Sequence, residues 1–129
     1  MIYNCNLSNS SIRLSRFHCW KRAGHGRLSL VESLEQSCDV FYYEVAQRAG
    51  IENISAMARR LGIGEAFDLP MSAVSDGLAP DKDWKLKKYG TDWLVGDTFN
   101  AGIGQGFVLG TPLQLAIMTA RIASGGWTA

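Results

Sequence analysis

Gly24-His25-Gly26-Arg27-Leu28-Ser29-Leu30-Val31-Glu32-Ser33-Leu34-Glu35-Gln36-Ser37-Cys38-Asp39-Val40-Phe41-Tyr42-Tyr43-Glu44-Val45-Ala46-Gln47-Arg48-Ala49-Gly50 carries two helical patterns that meet at a polar knuckle, Ser37-Cys38-Asp39. Leu30, Val31 and Leu34 fall on one helical face, and Ser29 with Glu32 three residues later forms a capping box that starts this helix. Phe41, Tyr42, Val45, Ala46 and Ala49 continue at helical spacing until Gly50 supplies a stop. A hydroxyl, a thiol and a carboxylate thus stand where one helix ends and the next begins, and apolar packing on both sides is expected to fix their orientation. The plain alternative is that Ser and Asp serve only as helix caps, with Asp39 accepting backbone N–H bonds at the start of the second helix.

The 129 residues, 47% of them hydrophobic, suit one globular domain with a modest core. Thirteen basic and twelve acidic side chains leave a formal charge of +1, so neither nucleic acid nor an acidic membrane surface is implied as a partner. No run of about eighteen apolar residues is present to span a membrane, and Met1 to Ser11 is too polar for a secretory signal. Neither an export signal nor an anchor is therefore expected in the chain. Its three cysteines leave at least one thiol outside any intrachain disulfide, a restriction that metal ligation does not share.

Toward the N-terminus, Met1 to Phe17 reads as loop with a short extended piece around Ile12 to Leu14. Phe17-His18-Cys19-Trp20-Lys21-Arg22-Ala23-Gly24-His25-Gly26 gathers aromatic, sulfur and imidazole groups, with His18 expected to pack and the glycines around His25 to turn the chain.

Toward the C-terminus, Ile54, Met57, Ala58 and Leu61 predict a third helix from Ile51, with Asn53 as a cap and Gly62 and Gly64 as the stop. From Phe67 to Tyr89 the periodicity disappears among Pro70, Gly77 and Pro80, which predicts a long loop. Lys82, Lys85, Lys87 and Lys88 lie there among Asp81, Asp83, Trp84 and Tyr89, either as a solvated face or as a docking surface for an anionic partner. Thr98 to Ala101 reads as a short strand leading into Gly102-Ile103-Gly104-Gln105-Gly106, where close backbone packing or positive φ is a better reading than a phosphate cradle. Thr111-Pro112-Leu113-Gln114 opens the last helix with Thr as cap, Pro in the first turn and Gln closing the box. Leu113, Ala116, Ile117, Ala120 and Ala123 form a stripe expected to face the core, and the sequence looks cut short soon after Gly125-Gly126.

Phe17-His18-Cys19-Trp20-Lys21, Gly24-His25-Gly26, Ser37-Cys38-Asp39, Gly102 to Gly106 and Thr111 to Gln114 together resemble the transpeptidase domain of class B penicillin-binding proteins, in the elongation-type group. The likeness runs from about residue 12 to 126, within a chain read throughout, 1 to 129, as a partial transpeptidase domain. It implies a mainly α fragment of an α/β (α+β) fold of the penicillin-binding and serine β-lactamase type, an antiparallel sheet flanked by helices beside a helical subdomain. It also implies acyl transfer: a serine attacks the D-alanyl-D-alanine end of a peptidoglycan stem peptide and passes the acyl group to a neighbouring amine, and β-lactams are trapped at that serine. The parent enzyme would be an inner-membrane protein with a periplasmic domain.

The family works with Ser-x-x-Lys, then Ser-x-Asn or Ser-x-Asp, then Lys-Thr-Gly. By resemblance Ser37 relays a proton near the nucleophile and leaving group, and Asp39 orients the substrate. No serine of the chain has a lysine three residues on, and Lys88-Tyr89-Gly90 precedes the glycine segment that Lys-Thr-Gly should follow. The chain alone is therefore expected to be inactive, and a missing sheet is expected to leave apolar surface open to self-association.

Cys5, Cys19, His25 and Cys38 make a standard donor set for one closed structural zinc, with Cys5 the least secure. Three buried thiols without metal are the alternative. Competing with the transpeptidase reading are a small zinc-stabilised binding module without catalysis, and a helical fragment that does not fold alone.

Overall fold

The computed structural model describes residues 3–5, 17–67 and 75–125. Ser29 starts α1 (Leu30–Glu35) with both halves of the expected box: its Oγ accepts the Glu32 N–H, and the Glu32 carboxylate accepts the Ser29 N–H at 2.7 Å. Burial departs from expectation, since Leu30, Val31 and Leu34 are exposed and Ser33 is the buried residue of this helix. One turn further on, α2 (Asp39–Ala49) buries Val40, Phe41, Tyr43, Glu44 and Ala46, while Val45 stays at the surface. Gly50 stops α2 at φ 74, as expected, and also precedes α3 (Ile51–Arg60). Asn53 does not cap α3; it lies inside the helix and donates to the Ala49 carbonyl.

Three expectations fail in the second half. Lys82 to Tyr89 is not loop but α4 (Lys82–Tyr89), capped by Asp81 and closed by Gly90 in the left-handed region. Thr98 to Ala101 is not a strand; it lies in α5 (Val95–Gly102), where the Asp97 carboxylate accepts the Leu94 N–H. Tertiary packing overrides the β-propensity of Thr98 and Phe99, because both are buried on the face that α5 turns inward. The last helix, α6 (Pro112–Ala123), begins as predicted with a full box between Thr111 and Gln114. Its small-residue stripe is not core: Ala116, Ala120 and Ala123 are exposed, and only Gln114 is buried.

Gln114 ties distant loops together. Its side-chain N–H groups donate to the Glu65 and Asp76 carbonyls at 2.9 and 2.7 Å, and its oxygen accepts the Thr111 N–H. Gly77, at φ 61, passes so close to Gln114 and to the Leu109 carbonyl that a Cβ would have no room.

The predicted extended piece at Ile12 to Leu14 lies outside the described residues, as does Pro70. A strand does form near the N-terminus, at β1 (Tyr3–Cys5), which pairs antiparallel with β2 (Gly26–Leu28) in the register Tyr3↔Leu28, Asn4↔Arg27 and Cys5↔Gly26. This two-stranded ribbon lies beside α2, and the core between them contains Leu28, Phe41, Tyr43, Phe99 and the three thiols. Full burial of Phe41 and Phe99 contributes roughly 1.5–3 kcal/mol each.

Candidate functional site

The knuckle is shaped by how α1 ends. Ser37 N–H donates to the Leu34 carbonyl at 3.1 Å and Cys38 N–H to the Ser33 carbonyl at 3.0 Å, the two bonds of a Schellman turn. That turn requires a left-handed residue, commonly glycine, and here it is serine at φ 49. Among the described residues Ser37 is the only non-glycine at positive φ. A backbone of this kind costs about 1–2 kcal/mol, and costs of this sort cluster at functional sites.

Asp39 does not cap α2. The cap position is Cys38, which makes no side-chain capping bond, and Asp39 is the first helical residue. Its carboxylate accepts the Trp20 backbone N–H at 3.3 Å and gains from the positive end of the α2 dipole. Ser37 and Asp39 line one open surface pocket of about 300 Å³ with Leu34, Tyr42, Gly102 and Ile103. The predicted motifs Ser37-Cys38-Asp39 and Gly102 to Gly106 thus meet in space.

They meet because α2 and α5 cross closely. A Cβ on Gly102 would overlap the Ala46 methyl, and one on Gly106 would press on Asn100 at 3.1 Å. The expectation of close backbone packing holds at these two glycines, whereas Gly104 has open space and is needed for its φ of 70. Tyr42 and Ile103 join the pocket without having been singled out as site residues; the Tyr42 hydroxyl lies 3.2 Å from Ser33 Oγ. Helical spacing marks Tyr42 as apolar periodicity and so hides this role.

Cys38 points away from the pocket. It is completely buried, and its sulfur lies with the ligand atoms of Cys5, Cys19 and His25, all within 4.8 Å of one another. His25 Nδ1 is 3.2 Å from Cys19 Sγ and 3.7 Å from Cys5 Sγ. Cys5, the least secure member by sequence, arrives through the β1–β2 register that places it opposite Gly26. None of the three cysteines is in a disulfide. Burial pushes the Cys38 thiol up to about 12 and raises Cys5 as well. His25 Nε2 is buried without a hydrogen-bond partner among the described residues.

The donor set fits a metal. Tetrahedral thiolate ligation at about 2.3 Å implies sulfur–sulfur edges of about 3.8 Å, and the four ligand atoms lie within 4.8 Å of one another, within about 1 Å of that spacing. The three cysteines form part of the core and His25 lies half-buried beside them, so a metal here would tie β1, the Cys19 to His25 loop and the knuckle together. His18 is exposed, correcting the expectation that it packs.

Of the four lysines, Lys82, Lys87 and Lys88 are exposed, as a solvated face implies, and Lys85 departs from it. Lys85 is neither solvated nor free to dock a partner: it is buried, donates to Asp97 at 2.6 Å and to the Asp92 carbonyl, and lies near the Trp93 and Phe107 rings. Lys88 lies over Trp84 and Tyr89. Lys88-Tyr89-Gly90 is the end of α4 and its cap, away from the residues that line the Ser37 pocket.

The penicillin-binding protein transpeptidase domain family matches residues 4–129, and the chain belongs to that family. Within it the chain falls with the elongation-type class B group, penicillin-binding protein 2. The peptidoglycan D,D-transpeptidase MrdA of Acinetobacter baumannii is 35% identical over 111 residues, covering 86% of this chain and 16% of that protein. Penicillin-binding protein 2 of Pseudomonas aeruginosa superposes with a TM-score of 0.86 at 35% identity, over 98% of this chain and 29% of that one. A structure of the Helicobacter pylori protein in complex with MreC gives 0.86 and 35%, over 97% and 23%. The chain therefore spans about a sixth of the length of the curated relatives it matches. The fold is the expected α-rich part of the penicillin-binding transpeptidase fold. These likenesses support the transpeptidase reading and lend none to a stand-alone zinc module.

Proposed function

We propose that this chain supplies the Ser-x-Asp segment of a peptidoglycan D,D-transpeptidase. In that enzyme a serine carried by another segment attacks the penultimate carbonyl of a D-alanyl-D-alanine stem peptide. The terminal D-alanine leaves with a proton, and the acyl group passes from the serine to an amine. Ser37 relays the proton between nucleophile and leaving group, and Asp39 orients the substrate backbone. The single observation that carries this reading is the knuckle itself: Ser37 is held left-handed, against the preference of serine, in the pocket that Asp39 and Gly102 also line.

Substrate and inhibitor are the peptidoglycan stem peptide and β-lactams, and the parent enzyme is a membrane-anchored periplasmic protein of cell-wall and cell-shape synthesis. No helix among the described residues is long and apolar enough to cross a membrane. An MreC-like protein is a further partner of the parent, by analogy with the Helicobacter pylori complex. Without Ser-x-x-Lys or Lys-Thr-Gly the chain alone does not acylate, and exposed Leu30, Val31, Leu34, Leu115 and Ile122 favour self-association.

The Cys5, Cys19, His25 and Cys38 cluster is a structural site for one zinc. The metal would supply cross-linking of the fold and no chemistry at the pocket, since it belongs to the inner face of the knuckle. Metal analysis of the purified chain tests this, and a chain that folds cooperatively with no bound metal contradicts it.

The catalytic reading is tested with a chimera in which residues 17–125 replace the matching segment of the Pseudomonas aeruginosa protein. A fluorescent penicillin should label the chimera and leave the isolated chain unlabelled. Asp39→Ala should slow labelling strongly and Asp39→Asn weakly, as a Ser-x-Asn alternative requires. Equal rates for all three chimeras would refute the role given to Asp39.

A further inference from the structure

We infer that Trp20 is a positioning residue of this site: its indole N–H holds the Ser37 backbone in the left-handed conformation that presents the pocket. The inference rests on the transpeptidase reading for its functional consequence but not for its geometry. Indole Nε1 donates to two carbonyls, Ser37 at 3.0 Å and Gln36 at 3.2 Å, while the backbone N–H of the same residue donates to Asp39 Oδ2. One residue therefore bonds to both Ser37 and Asp39 and leaves the thiol between them to the core.

Those carbonyls belong to the C-cap of α1 and to the residue that follows it, where the backbone has left the helix and needs another donor. The apolar side of α1 is exposed, so little packing backs the turn on that side, and Trp20 adds donors from outside to the two backbone bonds of the turn itself. The segment carrying it is pinned on the inward side by alternation: Phe17 stands edge-on to Tyr43 and Phe99 at 5.4 and 5.1 Å, and Cys19 sits in the thiol cluster. Trp20 then emerges 63% exposed, its ring in an edge-type contact with His25 at 5.2 Å between centroids. A large exposed indole contributes little to core stability, so the directed N–H is the feature that accounts for its placement.

Trp20→Phe removes the N–H and keeps an aromatic ring, and Trp20→Ala removes both. In NMR spectra of the full 129-residue chain, Ser37 should show the strong intraresidue HN–Hα cross-peak of positive φ, and the Trp20 indole proton should exchange slowly. Trp20→Phe should weaken the Ser37 cross-peak while leaving chemical shifts around Phe99 in place. In the chimera the same substitution should slow penicillin acylation about tenfold, through the acylation step and not through affinity, with an unchanged melting temperature. Retained Ser37 geometry and acylation in Trp20→Phe, with Ser37→Ala still impaired, overturns the inference and leaves the transpeptidase reading standing. Lost Ser37 geometry in Trp20→Phe, with Ser37→Ala acylating normally, confirms the positioning and overturns the transpeptidase reading instead. Spectra of the 129-residue chain without dispersed resonances would contradict the geometry from which the inference is drawn.

Discussion

Gly102 of α5 lies against Ala46 of α2 with no space for a β-carbon between them. This approach brings Gly102 and Ile103 into the pocket that Ser37 and Asp39 also line. Gly102→Ala forces the two helices apart. We expect a loss of about 1–3 kcal/mol of stability, in the range of overpacked cores, measured by thermal or denaturant unfolding. A fully stable variant would show that the helices do not meet at this residue.

Ser37→Gly separates conformational strain from chemistry. Glycine adopts φ 49 without the penalty a serine bears, so the variant should be more stable by up to about 1 kcal/mol. Losing the hydroxyl should nonetheless slow acylation in the chimera. A destabilised Ser37→Gly chain would show that the serine side chain holds the turn.

The buried thiols make the stability of the metal-free chain depend on alkaline pH. Cys38 rises from an ordinary 9.0 to about 12 on folding, chiefly through burial. The unfolded chain therefore loses this proton first, and folded stability should fall as the pH rises above about 9. Zinc bound at the proposed site would reverse the preference, since it takes thiolates and releases their protons, so apparent zinc affinity should increase with pH. Unfolding transitions with and without a chelator, compared between the chain and Cys38→Ala, check both directions.

Asp81 provides the acidic counterpart. Its carboxylate accepts the Trp84 N–H at the start of α4 and pairs with Arg59, and the Trp84 bond is the larger cause of its lowered pKa. The stabilisation is present above the ordinary carboxylate value of 3.8 and is lost as the pH falls through the lower folded value. Asp81→Ala should cost about 1 kcal/mol at neutral pH, typical of a lost cap, and should flatten the acid limb of the stability curve.

Local chemistry in the sequence identifies the elements with explicit caps. Ser29 with Glu32, Gly50, and Thr111-Pro112 with Gln114 locate three boundaries that the structure reproduces. Where no such punctuation is weighed, the reading fails: Asp81 and Gly90 bracket α4, yet the lysine-rich interior hides a helix whose buried member is a lysine neutralised by Asp97 from another element. The apolar stripes of α1 and α6 have correct helical period and wrong burial, because period reports amphipathicity and not what stands opposite. At the site, the motifs expose Ser37 and Asp39. Trp20 escapes a role because hydrogen bonds from an indole to carbonyls 16 and 17 residues away leave no mark in spacing.

The most direct measurement is the second-order rate of penicillin acylation of the chimera carrying residues 17–125, with Ser37 intact and with Ser37→Ala. A loss of about a hundredfold or more, at unchanged melting temperature, is the result predicted for a hydroxyl that relays the proton of acyl transfer. An unchanged rate in Ser37→Ala would contradict it and reduce the knuckle to a turn.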